Sequence, residues 1–443
     1  MTTYRITTKK KAIKGSEKDD SFFGSKFKDI FDGRDGDDYV SGAEGSDNLT
    51  GGGGDGSDKV LGGLGKDNLY GGLGKDILQG QDGNDTLYGE ADRDNLYGDV
   101  GNDKLYGGES DDSLMGGEGD DRLYGGEDDW LYADKGNDRL GGGKGDDDLH
   151  GGEGNDYLSG GAGDDNVDGR DPSVFMDNGT WTILGKDRLL GGDGKDKVWV
   201  DDGDNALGGK GIDTLSLSLY SRNSSLSVKY SLNFSSITGK KAVDIGYGNV
   251  KAGQFEKVSA SVSDMDVGSF VTGSKGSDTI NAEGKSGMIN GGAGNDTLSA
   301  NGYNSDNPAN GIIVDGGAGD DKLSGDGHVT LVGGAGEDQF SLSRGSDCTI
   351  ADFSGKDYFL IRATSFRYYD FDLDKYVIPT FDRANPFVAG TDPKPATALA
   401  QFLYDTDDGK IYFDADGTGL NFDPYLVATL ANKAALKASD FVI

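Results

Sequence analysis

A chain of 443 residues with 78 Asp and Glu against 43 Lys and Arg carries a formal charge of −35, which excludes a nucleic-acid binder because a phosphate backbone needs a basic surface. Only 34% of the residues are hydrophobic and 78 are Gly, yet only 7 are Pro, so a thick layered core, collagen and Pro-rich disorder all fit poorly. The acid is almost entirely aspartate, 68 residues against 10 Glu, and that excess points to a bound cation. Cys348 is the only cysteine, and His150 and His328 are the only histidines. That removes intrachain disulfides, thiolate metal cages and most histidine-centred catalysis.

The first residues, Met1–Lys14, are basic and lack the apolar core of a signal peptide. They read as a cap strand, so an exported chain has to leave by a route that does not read its N-terminus. No run approaches the ~18 consecutive apolar residues of a membrane-spanning helix.

From residue 15 to 169 an Asp followed two residues later by an apolar residue recurs in one register. The series is Asp20, Asp29, Asp38, Asp47, Asp58, Asp67, Asp76, Asp85, Asp94, Asp103, Asp112, Asp121, Asp129, Asp138, Asp147, Asp156 and Asp165, in steps of 9 apart from one 11 and one 8. The apolar partners run from Phe22 and Phe31 through Leu69, Leu87 and Leu105 to Val167. Gly-Gly-x-Gly-x precedes most of these aspartates, as in Gly62-Gly63-Leu64-Gly65-Lys66-Asp67. Each unit therefore reads as a Gly-rich turn, able to take positive φ, followed by a strand of about three residues. Two units make one coil of 18 residues with a strand on each side. Stacked coils bury a continuous aliphatic ladder and pair their strands in parallel.

That stacking places aspartates 18 apart, such as Asp67 and Asp85, on one edge about 4.8 Å from each other. Bare carboxylates at that spacing repel, so the ladder requires a cation between rungs. Carboxylates together with turn carbonyls make an all-oxygen shell, which suits Ca²⁺ rather than Zn²⁺ or Mg²⁺. The gaps in the main block give about 15 such seats, and filling them would bring the charge from −35 to about −5.

The unit Gly-Gly-x-Gly-x-Asp-x-Leu-x resembles the nonapeptide of RTX (repeats-in-toxin) proteins. The resemblance covers residues 15–169 densely and 185–215 and 273–359 more loosely. It implies an all-β fold, a right-handed parallel β-roll with strand-rich interludes, and Ca²⁺ held between adjacent turns. It extends the candidate ligands to Asp187, Asp196, Asp204 and Asp213, and to Asp278, Asp296, Asp321 and Asp338. Asp92 and Ser110 replace a turn Gly, and the turn Gly125-Gly126-Glu127-Asp128-Asp129 is one residue short, so these turns are expected to bind weakly or not at all.

Beyond residue 169 the chain divides into a loop insertion at 170–184, expected to pack on the roll's side, a short repeat block with a strand-rich interlude at 185–270, a sparser second roll at 271–360, and a C-terminal cap at 361–443. Alternating apolar residues from Leu215 to Phe234 predict strands, and Phe402–Asp405 with Ile411–Asp414 predict a hairpin. Asp414-Ala415-Asp416-Gly417 is a faint calcium cue and a better turn. The ending Asp440-Phe441-Val442-Ile443 is similar to the uncleaved signal of type I secreted proteins, which implies that secretion machinery as a partner. No H-E-x-x-H, G-x-S-x-G or P-loop pattern appears.

These features predict a secreted, extracellular or cell-surface protein without a catalytic domain, folding on calcium after export and serving a structural or adhesive role. The alternative is an RTX enzyme or effector acting on polysaccharide or membrane through 215–270 or 361–400. One further pattern stands outside the calcium motif: Tyr70, Tyr88, Tyr106 and Tyr124 recur every 18 residues on the outward side of one sheet. They predict an aromatic strip that either stiffens the sheet or stacks against sugars or a second roll.

Overall fold

The computed structural model describes all residues except 1, 7–11, 172–173, 176–180, 183–184, 202–203, 220–230, 234–242, 245–250, 254, 266–268, 303–310, 345, 347, 371–374, 380, 382–386 and 419–422. They form two compact units, Met1–Ser216 with Gly239–Asp244 and Gly248–Phe255, and Leu217–Thr238 with Ile245–Tyr247 and Glu256–Ile443. Strand dominates the described residues, and the short 3-10 turns Ala363–Phe366 and Ala438–Asp440 are their only helical elements. None of their helices is long and apolar enough to cross a membrane.

In the first unit successive strands alternate between two parallel sheets. Asn68–Leu73, Thr86–Ala91 and Lys104–Gly108 follow one another in one sheet, while Ile77–Gly83, Asn95–Val100 and Ser113–Glu118 do so in the other. Leu87 pairs with Leu69 and Leu105, so the partners lie 18 apart as the repeat predicts. Between the sheets Leu69, Leu78, Leu87, Leu96, Leu105 and Leu114 are no more than 1% exposed. Each such burial contributes about 1.5–3 kcal/mol, and repetition along the stack is what a thin core relies on.

The strands are longer than the expected three residues: Thr86–Ala91 has 6 and Lys59–Gly65 has 7. The added length runs through the glycines, where Glu90 pairs with Gly108 and Gly65 with Gly83. With at least one glycine in each of these pairs, neighbouring backbones approach closely enough to keep pairing into the turn.

The second unit repeats the plan. Thr279–Gly284, Thr297–Gly302, Lys322–Gly327 and Gln339–Leu342 stack in one parallel sheet, and Gly287–Ala293, Ile312–Ala318 and Val329–Ala335 in another. The expected hairpin is present, Gln401–Asp405 running antiparallel to Lys410–Asp414. Tyr425–Leu430 then pairs antiparallel with Lys410–Asp414 and parallel with Cys348–Ile350, which grafts the hairpin onto the roll. Asp414 Oδ1 accepts the N–H of Asp416 at 3.2 Å and of Gly417 at 2.8 Å, so the D-x-D-G segment is a turn. The interlude strand Thr214–Leu219 is present, and residues 220–230 lie outside the described residues. In the insertion Val174–Phe175 pairs with Trp181–Thr182 as a two-stranded ribbon, and its predicted packing on the roll lies outside the described side chains.

Candidate metal centre

Each in-register Asp ends a turn and starts a strand, and its side chain points inward at the edge of the roll, at most 3% exposed. One carboxylate oxygen has a fixed task. Asp103 Oδ1 accepts the backbone N–H of Asp85 at 2.6 Å, and Asp121 Oδ1 accepts that of Asp103 at 2.7 Å. The same bond links the whole first unit into two columns. One runs Asp20, Asp38, Asp58, Asp76, Asp94, Asp112, Asp129, Asp147, Asp165, Asp196, Asp213. The other runs Asp29, Asp47, Asp67, Asp85, Asp103, Asp121, Asp138, Asp156, Asp187, Asp204. The steps from Asp156 to Asp187 and from Asp165 to Asp196 pass over the insertion without breaking either column.

The other oxygen is left over. Oδ2 of Asp67, Asp76, Asp85, Asp94, Asp103, Asp112, Asp121 and most other rungs is buried with no hydrogen-bond partner. A buried unpartnered carboxylate oxygen is among the costliest groups a fold can hold, and a bound cation would satisfy a whole column of them. The glycines show what faces them. A Cβ built on Gly80 would lie 2.6 Å from Asp85 Oδ2 and 2.8 Å from the Gly98 carbonyl oxygen of the next turn. Gly71 and Gly89 repeat this with Asp76 and Asp94 and the carbonyls of Gly89 and Gly107. Glycine is therefore required less for its φ than for the room it leaves where carboxylate and carbonyl oxygens converge.

This donor set fits Ca²⁺. All donors are oxygen, and no three acidic, histidine or cysteine side chains converge among the described residues, so a Ca²⁺ bound here would draw carboxylates from neighbouring turns and complete its shell with carbonyls.

Column ends differ. Asp20, Asp29 and Asp278 each have Ser four residues earlier in place of Gly, and Ser16, Ser25 and Ser274 donate their backbone N–H to Oδ2 at 2.7, 2.7 and 2.5 Å. These aspartates belong to columns, but their Oδ2 is already engaged, and in Asp29 it is Oδ1 that is buried without a partner. In the second unit Asp278, Asp296, Asp321 and Asp338 form a single column. Two residues before the inward Ile289, Val314 and Leu331 the opposite edge has Gly287, Ile312 and Val329 where the first unit has Asp, so among the described residues only one side of this unit carries an aspartate column.

The turns with substitutions keep their geometry. Asp92 and Ser110 hold the left-handed φ of the glycine they replace, at 69° and 82°, and the Asp94–Asp112 link remains at 2.8 Å. The short turn ending at Asp129 also stays in column, its Oδ1 accepting from Asp112 at 2.7 Å. A third group lies outside the aspartates that the repeat series named. Asp357 extends the second unit's column beyond Asp338, and its spacing from Phe359 is the same Asp-x-apolar signal. Asp171 and Asp201 sit beside Asp187 and Asp204 where the insertion joins, with Asp201 Oδ2 accepting the Asp171 N–H at 2.9 Å. No periodicity marks them, because the insertion itself resets the register.

Burial, then the neighbouring aspartates, push the ladder carboxyls up to about 7 for Asp85 and Asp112 and about 8 for Asp94, Asp121 and Asp147. Asp187 is pushed to about 10 by burial and by Asp204. The sign of the consequence follows from linkage. A carboxyl raised in the folded chain destabilises the metal-free fold fully above its folded pKa and not at all below the ordinary carboxylate range. In chelator, strand content measured by circular dichroism is therefore expected to rise as pH falls from about 8 to about 5, while in calcium the half-saturating concentration climbs over the same window. A metal-free signal that is flat across it would contradict these environments.

The tyrosines form a ladder of their own. The centroids of Tyr70, Tyr88, Tyr106 and Tyr124 are 5.0, 4.9 and 5.2 Å apart with planes within 12°. Face-to-face stacking along the roll covers the facing ring surfaces and leaves edges and hydroxyls outward, the arrangement that the stiffening alternative requires and that leaves no open face between rings for a sugar. Rings stacked in this way stiffen a sheet.

The two columns of buried carboxylates crossed by glycine carbonyls define a calcium-type β-roll. The RTX calcium-binding nonapeptide repeat matches residues 14–49, 53–78, 70–105, 97–129, 106–140, 126–149, 141–171, 183–215, 270–298 and 315–347. With more than half of its length matched, the chain belongs to the RTX calcium-binding repeat family. No curated protein matches it.

Proposed function

We propose that this calcium-binding RTX protein is secreted unfolded through a type I route, folds outside the cell as Ca²⁺ fills the gaps between successive column aspartates, and serves there as a non-catalytic structural or adhesive component. The observation that carries the reading is the unpartnered Oδ2 recurring on rung after rung of the first unit. At low calcium these carboxylates repel one another and hold the chain extended, the state that a narrow export channel requires. Phe441 is buried, its ring 5.0 Å from that of Phe359 and 5.2 Å from that of Phe402, so this side chain is accessible only before folding.

Fractionating cells into cytosol, surface and medium, with and without chelator in the medium, tests this. The protein is expected outside, in the medium or released from the surface by chelator, and changing Phe441 and Val442 to Asp is expected to retain it inside. A chain found in the cytosol with its C-terminus intact would contradict the reading.

A further inference from the structure

The outward face beside the tyrosine ladder carries a row of cations. Lys104, Arg122 and Arg139 occupy successive rungs, paired Lys104 with Arg122 and Arg122 with Arg139. They share a face with Tyr106 and Tyr124, since residues two apart on a strand point the same way. One rung further is Tyr157, and Arg188 beyond it lies over that ring at 5.5 Å. Lys104, Arg122 and Arg139 are exposed, and among the described residues none of the three has an ion-pair partner. The glutamates at this end of the roll, Glu90, Glu109 and Glu127, lie beyond the tyrosines at the opposite ends of the strands.

Like charges directly across a sheet are unfavourable. Three in a row, unneutralised in a chain with 78 acidic residues, call for an external counter-charge. The row is straight and its charges recur once per turn, at about 4.8 Å. Outward tyrosine hydroxyls run parallel to it, and burial followed by the neighbouring Tyr106 and Tyr70 keeps that of Tyr88 protonated as a donor. A linear polymer with one carboxylate per sugar and hydroxyls between matches both rows. A nucleic-acid duplex does not: it carries a charge every ~1.7 Å and curves away from a flat strip.

We infer that this strip binds an acidic glycan of the polyuronate class, and that calcium gates the binding. The gating rests on the proposed filling of the columns: each Ca²⁺ cancels two of the charges behind the strip, so the cations dominate the local field only in the loaded roll.

The probe is a fluorescent oligogalacturonate too short to gel with calcium, read by anisotropy at low salt. Circular dichroism on the same samples reports folding separately, which distinguishes failure of the strip from failure of calcium-driven folding. The wild-type chain is expected to bind it in millimolar calcium and not to bind its carboxyl-reduced, neutral counterpart. Lys104→Gln, Arg122→Gln and Arg139→Gln together are expected to weaken binding by about tenfold or more. Removing the same charge at exposed positions outside the row, with Lys66→Gln, Lys75→Gln and Lys144→Gln, is expected to leave it nearly unchanged. Equal losses in the two triple variants, no binding by the folded wild type, or tighter binding of a short DNA duplex would each overturn the inference.

Discussion

Asp94→Asn with Asp112→Asn is expected to raise the calcium concentration needed to fold the first unit several-fold and to split its single transition into two. Asn can still accept the N–H that Asp94 and Asp112 accept from Asp76 and Asp94, at 2.7 and 2.8 Å, so the backbone link survives while the charge is lost. What disappears is Oδ2, unpartnered in both residues, from three consecutive gaps of one column. A seat whose calcium is about 100-fold above its Kd contributes about 2.7 kcal/mol to folding. In a solenoid that contribution reaches only neighbouring turns, so a gap in mid-roll uncouples the turns before it from those after it. The second column, with Asp85, Asp103 and Asp121 untouched, keeps the chain foldable at high calcium. Glu109→Gln with Glu127→Gln removes the same charge from exposed turns and is expected to shift the midpoint little. Equal behaviour of the two double variants would mean that the columns respond to charge in general and hold no specific seats.

The columns were legible in the sequence because the chemistry and the geometry share one period. An Asp two residues before each buried Leu fixes both which residues face inward and which carboxylates stack, and a step of 31 across the insertion left Asp187 and Asp196 in line. The pattern could not show where that period ends or changes meaning. Asp171 and Asp201 join the cluster through a loop with no repeat, and Asp20, Asp29 and Asp278 look like any other rung until Ser16, Ser25 and Ser274 are seen donating to them.

The tyrosines make the same point from the outer face. Their spacing was plain, but whether rings present faces or edges depends on side-chain rotation, which a spacing does not encode. The 4.9 Å face-to-face contact of Tyr88 with Tyr106 accords with the stiffening alternative rather than with the sugar-stacking one. The neighbouring Lys104, Arg122 and Arg139 then became the more informative feature. Strand length failed for a related reason: apolar residues mark where a strand is buried, whereas here glycine lets pairing continue past the last side chain.

A calcium titration of the metal-free chain, followed by circular dichroism at neutral pH, tests the central claim that calcium drives the fold. Extracellular-type sites bind at about 10⁻⁴ to 10⁻³ M, and coupling between adjacent turns narrows the response. The strand signal is expected to appear over a narrow range near those concentrations, to vanish on adding chelator, and not to be reproduced by magnesium, whose strict octahedral shell suits these carbonyl-rich seats poorly. A chain already fully strand-rich in excess chelator, with no change on adding calcium, would contradict the account and leave its columns of buried aspartate without a cause.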